Sequence, residues 1–161
     1  MPGRAEFFLC RDEESGDRVM KVVTVSGAHS GIGKTTTVER LLKGLKGWSA
    51  LKVTTIKEGP CPRETPCGIC EEQDAQFTIV ADSSILNQCG KDTQRMMAAG
   101  AREVLWLKAR PSGLKKGLKA ALKRFKHARG VVVEGTSVLK HLNPDLAIFL
   151  NGDTSHFLKN K

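Results

Sequence analysis

The chain contains no tyrosine, and aromatic residues make up only 5% of it. Proteins that grip single-stranded nucleic acid set aromatic platforms among basic residues. No basic segment here is interleaved with aromatics, so nucleic acid is not an expected partner, despite a formal net charge of +9. Long apolar runs are also missing: none approaches the roughly 18 residues that a membrane-spanning helix needs. Residues 1–17 mix charges and lack the apolar stretch of a secretory signal. Together these absences predict a cytoplasmic protein with no membrane segment. There is no internal repeat and no low-complexity tract, which leaves an ordinary folded unit.

What is present suits one domain of 161 residues with a real core, since 40% of the chain is hydrophobic. A sequence pI near 9.5 favours anionic ligands such as nucleotides or phosphorylated cofactors. Five cysteines in a cytoplasmic chain point to a metal or to free thiols rather than to a disulfide frame.

Strand and helix patterns alternate along the chain. Residues 1–18 are expected to be peripheral, with an edge strand over Glu6–Cys10. Val22–Ser26 predicts a strand buried on both faces, because it is almost wholly β-branched and apolar. Val38, Leu41, Leu42 and Leu45 recur at helical spacing and predict a helix over 35–46, ended by Gly47. Further strands are expected at 51–56, 77–81, 103–108, 131–133 and 146–150. Further helices are expected at 91–99, closed by Gly100, and at 112–128, broken by Gly130. Such alternation predicts an α/β fold, a mostly parallel twisted sheet with helices on both faces. Ligands of these sheets bind beyond the carboxyl ends of the strands. The basic helix, with Lys115, Lys116, Lys119, Lys123, Arg124 and Lys126 opposite its apolar face, reads as a solvated surface or a docking face for an acidic protein. Trp48 and Trp106 read as packing residues.

The strand 22–26 runs directly into Gly27-Ala28-His29-Ser30-Gly31-Ile32-Gly33-Lys34-Thr35-Thr36. Ala28–Thr35 fits a phosphate-binding loop with alanine in the first glycine position. Gly31 and Gly33 permit backbone N–H groups to curl round a phosphate. Lys34 supplies an ammonium for the β- and γ-phosphates, and Thr35 a hydroxyl for Mg²⁺. The helix that follows points its positive end at the same anion. Residues 29–36 are therefore the expected nucleotide contacts, with GTP or ATP as ligand.

Two further segments join this site. Val131-Val132-Val133-Glu134-Gly135 is a hydrophobic strand ending in an acid, and its carboxylate is placed to hold Mg²⁺ through water or to polarise an attacking water. In Gly90-Lys91-Asp92-Thr93-Gln94-Arg95, Asp92 either caps the following helix or orients Mg²⁺, and Lys91 or Arg95 contacts an anionic ligand. Lys34, Asp92 and Glu134 are the expected catalytic set. A separate metal site is expected from Cys61, Cys67, Cys70 and Cys89, of which Cys67 and Cys70 have the two-residue gap of a metal-ligand pair. Zn²⁺ and an iron–sulfur cluster are not separable on this spacing.

With these residues in hand, the chain resembles the MobB family, adaptor proteins of molybdopterin-guanine dinucleotide synthesis. The likeness runs over about residues 21–150. It is carried by Ser30–Thr36, a second strand ending Thr55-Ile56-Lys57, the block Gly90-Lys91-Asp92-Thr93 followed by Ala99-Gly100-Ala101, and the strand end Glu134-Gly135. The resemblance implies a P-loop NTPase fold over residues 1–161, carrying a Cys-rich insertion at about 59–72. It also implies a homodimer that binds GTP, hydrolyses it weakly, and assists the nucleotidyltransferase that attaches GMP to the molybdenum cofactor. The family has a His-containing segment where this chain has its cysteines, which implies a metal-bearing variant. His29 stands where partition-type and nitrogenase-reductase-type relatives carry a signature lysine, so the chain is not placed with them. An Asn-Lys-x-Asp guanine signature is absent; Asn151-Gly152-Asp153 is at most a degenerate form. The alternatives are a metal-insertion GTPase, similar to hydrogenase and urease maturation factors, a small-molecule kinase, and a binding module without turnover.

Overall fold

The computed structural model describes residues 4–9, 20–56 and 75–152. Among these residues seven strands form one sheet: β1 (Arg4–Leu9), β2 (Lys21–Gly27), β3 (Ser49–Thr55), β4 (Phe77–Val80), β5 (Val104–Ala109), β6 (Gly130–Glu134) and β7 (Leu146–Asn151). Their spatial order is β1-β7-β2-β6-β3-β5-β4. The five inner strands are parallel to one another. The two edges, β1 against β7 and β4 against β5, are antiparallel. The expected edge strand near the N-terminus is therefore present, shifted to Arg4–Leu9.

Period-two alternation splits β3, β5 and β6 between two cores. Val131 and Val133 belong to one hydrophobic cluster, whereas Val132 between them belongs to the other. This explains why β6 is buried along its whole length and reads as a continuous apolar run. One face is covered by α1 (Lys34–Gly44) and α3 (Asp92–Ala98), whose Val38, Leu42 and Met96 pack on Val25, Ala50, Val104 and Ile148. The other is covered by α4 (Leu114–Leu122), whose Leu114, Leu118 and Ala121 pack with Phe125 on Leu51, Leu105 and Leu107. Helices thus lie on both faces. Close approach is needed at Gly130, where a Cβ would sit 2.6 Å from the Trp48 ring.

Three elements differ from expectation. α4 ends at Leu122 rather than near 128, because the chain tightens into i→i−3 bonds, Arg124 to Ala121 and Phe125 to Leu122. Phe125 still reaches the core and is 2% exposed. A short helix, α2 (Ser83–Leu86), was not expected; Asp82 caps it by accepting from the Ser84 N–H at 2.8 Å. Asp92 is not a cap: Lys91 holds that position without a side-chain bond, and Asp92 is the first helical residue. The cysteine-rich segment at 59–72 and Cys10 lie outside the described residues.

Candidate functional site

β2, β6 and β3 are neighbours in the sheet, so their carboxyl ends open onto one place. The ends are tied together there. Ser26 Oγ donates to the Gly135 carbonyl at 2.7 Å, and the Gly135 N–H donates to the Val25 carbonyl. After Gly27 the chain turns through residues 28–33 into α1. Gly31 and Gly33 have φ of 79° and 96°, the left-handed region that L side chains rarely adopt. Nothing crowds either residue, so backbone conformation alone demands glycine. Ile32 faces away from the cleft: the Cβ positions of Gly27 and Gly152 would lie 2.8 and 3.1 Å from its side chain. The Ala28 N–H donates to the Leu150 carbonyl, which pins the start of the turn to β7.

Gly33 is the N-cap of α1 and offers no side-chain cap. The first-turn amides therefore lack the usual side-chain acceptor, and the helix end suits an anion. Lys34 Nζ donates to the His29 carbonyl at 2.6 Å, which holds the ammonium over the turn. Burial lowers the Lys34 pKa below its ordinary value, the Lys52 charge adds to this, and the Glu134 and Asp92 carboxylates oppose it. The His29 ring nitrogen Nδ1 lies 2.8 Å from the Ser30 carbonyl oxygen.

Behind the turn stands a charged cluster. Glu134, at the end of β6, is 1% exposed. Thr35 Oγ1 donates to its two carboxylate oxygens, each at 3.2 Å. Lys52, opposite Glu134 in the β3–β6 register, donates to Glu134 Oε1 at 2.6 Å and to Asp92 Oδ2 at 2.7 Å. Burial opposes the Lys52 charge. The Glu134 charge and the bonds to Asp92 and Glu134 outweigh it and raise the lysine pKa above its ordinary value. Burial likewise opposes the Asp92 charge. The Lys52 bond and charge, with help from Thr35 and Arg95, hold that carboxyl below its ordinary value.

Together these groups line an open cleft of about 340 Å³: Ser30, Gly31, Gly33, Lys34, Thr35, Thr36, Lys52, Asp92, Arg95 and Glu134. Two side chains expected to touch ligand are otherwise engaged. Arg95 is fastened to Glu39 at 2.6 Å and donates to Thr36 Oγ1 at 3.2 Å, joining α3 to α1. Lys91 lies over Trp106, 5.7 Å from the ring centroid, with Lys108 at 5.2 Å from the same ring. Trp106 also donates to Thr54 Oγ1, so it is tied down by more than packing.

Of the expected cysteine ligands, Cys89 is exposed in the stretch between α2 and α3. Cys61, Cys67 and Cys70 lie outside the described residues. Among the described residues no group of three His, Cys, Asp or Glu side chains could hold a metal. The cleft instead offers two carboxylates and a hydroxyl. These hard oxygens suit Mg²⁺, which commonly takes one or two carboxylates and completes its shell with phosphate and water.

Lys52 is the cleft residue missing from the sequence-based expectation. Its signal was a lone charge inside a strand whose faces are both covered, where an unpaired ammonium would be costly. Pairing with Glu134 could not be read without the β3–β6 register. Among the described residues, no helix is long and apolar enough to cross a membrane. No family model matches the chain, and neither the curated proteins nor the solved structures contain a significant match.

Proposed function

We propose that the cleft binds the polyphosphate of a nucleoside triphosphate together with Mg²⁺, and that the chain is a P-loop NTPase. One observation carries this reading. Gly31 and Gly33 adopt left-handed conformations that deliver the uncapped start of α1, Lys34 and the Thr35–Glu134 pair to the same cleft.

Each residue then has a role that its position supports. The turn amides and the start of α1 bind phosphate oxygens. The Lys34 ammonium exchanges its bond to the His29 carbonyl for one to the phosphates, a stronger acceptor because it is charged. Thr35, Asp92 and Glu134 would hold the metal, which neutralises phosphate charge during transfer. Glu134 is the carboxylate nearest a water-orienting role, but its oxygens already accept from Thr35 and Lys52. With Mg²⁺ and nucleotide bound, the same carboxylate would be committed to the metal, and a carboxylate so committed is a poor general base, which favours slow hydrolysis over rapid turnover.

The finer reading is a GTP-binding accessory protein for molybdenum or tungsten cofactor assembly, working as a homodimer with a cofactor nucleotidyltransferase. It rests on the block 90–93 and 99–101. In the structure that block has a structural purpose that serves the site. Gly90, with φ of 79°, turns the chain into α3. Thr93 Oγ1 donates to the Leu86 carbonyl at 2.7 Å, and Gly100, with φ of 96°, follows the helix. Asp92 is thereby set against Lys52.

Calorimetric titration with GTP and ATP, with and without Mg²⁺, tests the nucleotide reading. Lys34→Ala removes a charged contact and is expected to weaken binding by about 1.5–3 kcal/mol. A parent protein that binds neither nucleotide, or a Lys34→Ala variant that binds as well as the parent, refutes it. Co-purification with a molybdenum-cofactor nucleotidyltransferase tests the finer reading.

A further inference from the structure

Two of the three groups that would hold Mg²⁺, Asp92 and Glu134, converge on a cation that the chain itself supplies. Lys52 Nζ is within 2.7 Å of Asp92 and 2.6 Å of Glu134. Thr35 Oγ1 is on the same Glu134 carboxylate. An ammonium so placed donates to both carboxylates of the pair. A divalent ion arriving from solution meets carboxylates that already share an ammonium, and a positive charge that repels it. The ammonium sits on a four-carbon stem with rotatable bonds, so it can change partners without moving the strand. Lys52 also lines the same cleft as the glycine turn. A triphosphate in that turn would offer it a new anion within the cleft.

Resting on the nucleotide reading above, we propose that Lys52 is the tethered counter-ion of the divalent-cation site, and that it passes to the phosphates when nucleotide binds. Metal entry is then conditional on nucleotide. Mg²⁺ alone competes with Lys52 and binds weakly, whereas a nucleoside triphosphate both draws Lys52 away and adds oxygen ligands. The two ligands bind with positive coupling, and by linkage each strengthens the other equally.

Mn²⁺ is the probe, with unbound ion followed by electron paramagnetic resonance, in the parent and in Lys52→Gln. The free Lys52→Gln protein is expected to bind Mn²⁺ about tenfold more tightly than the free parent, a mid-range value for coupled sites. A slowly hydrolysed GTP analogue should strengthen Mn²⁺ binding by a factor about tenfold larger in the parent than in the variant. Equal or weaker Mn²⁺ binding by the variant, or unchanged coupling, overturns the role of Lys52. Circular dichroism establishes that the variant is folded. Should it not fold, the parent decides the question through the ¹⁵N signal of the Lys52 ammonium. That signal should persist on addition of Mg²⁺ alone and shift when Mg²⁺ and the GTP analogue are added together; a signal unmoved by the nucleotide overturns the proposal. Failure of the nucleotide reading itself looks different: the parent then binds neither GTP nor ATP in calorimetry.

Discussion

Replacing Lys52 by Met tests the energetics of the charged cluster in the nucleotide-free protein. The side chains of Glu134, Lys52 and Asp92 are 1%, 19% and 40% exposed respectively. Lys52→Met therefore strands the one group of the three that water cannot reach. Removing one partner of a buried pair costs about 3–5 kcal/mol. Here the lower end applies, because Thr35 still donates to Glu134 and the Lys34 charge still attracts it. The expected loss is about 3 kcal/mol, or a melting temperature about 6–12 °C lower for a domain of this size. Asp92→Asn should cost less than about 1 kcal/mol, since that carboxylate is solvated and screened. The double variant Lys52→Met/Glu134→Leu should lie within about 1 kcal/mol of the parent, because it removes both charges and their desolvation together. Urea denaturation in chelator-treated buffer measures all three. If Lys52→Met is as stable as the parent, or if the double variant is no more stable than Lys52→Met, the pair is not an isolated buried unit and the reasoning fails.

Gly130→Ala places a methyl within the Trp48 ring envelope, where the Cβ would sit at 2.6 Å. Overpacking of this kind should cost about 1–3 kcal/mol with little change in denaturant slope; a neutral variant would show that the ring moves freely. Asp145 accepts from the Val22 N–H at 2.7 Å and from Lys21. Burial opposes its charge, yet these bonds hold its pKa below the ordinary 3.8. A depressed carboxyl adds stability above its unfolded pKa and loses it as pH falls through the folded pKa. Asp145→Ala should thus cost about 1 kcal/mol, discounted for exposure, near neutrality. The gap to the parent should narrow on acidification below 3.8, and a gap constant with pH argues against the charge as its source. Thr35→Ala should weaken nucleotide binding more in Mg²⁺ than in chelator, as calorimetry can report; equal losses in both buffers would assign Thr35 to phosphate rather than metal.

Much of the architecture was legible in the sequence, because local physics writes it there. A β-branched run such as Val131–Val133 has to be a strand covered on both faces, and it is. Apolar residues at helical spacing marked α1, although it ends at Gly44 with Leu45 as its C-cap, and Gly47, with φ of 79°, lies in the turn beyond it rather than at the helix end. The turn around Gly31 and Gly33 was equally readable, since left-handed backbone leaves a glycine signature. Less local features were not. That β4 runs antiparallel at the edge depends on its pairing with β5, which lies distant in sequence.

By its own order of residues, then, the chain determined an α/β sheet, a glycine turn entering a helix, and the acid that ends β6. Only tertiary structure decided what that acid touches. Glu134 meets Lys52 through parallel strand pairing across 82 residues, and Asp92 reaches the same ammonium from α3, 40 residues away from it in the chain. Electrostatic partners are chosen by proximity in space and by exclusion of water, and neither is a property of a local stretch of sequence.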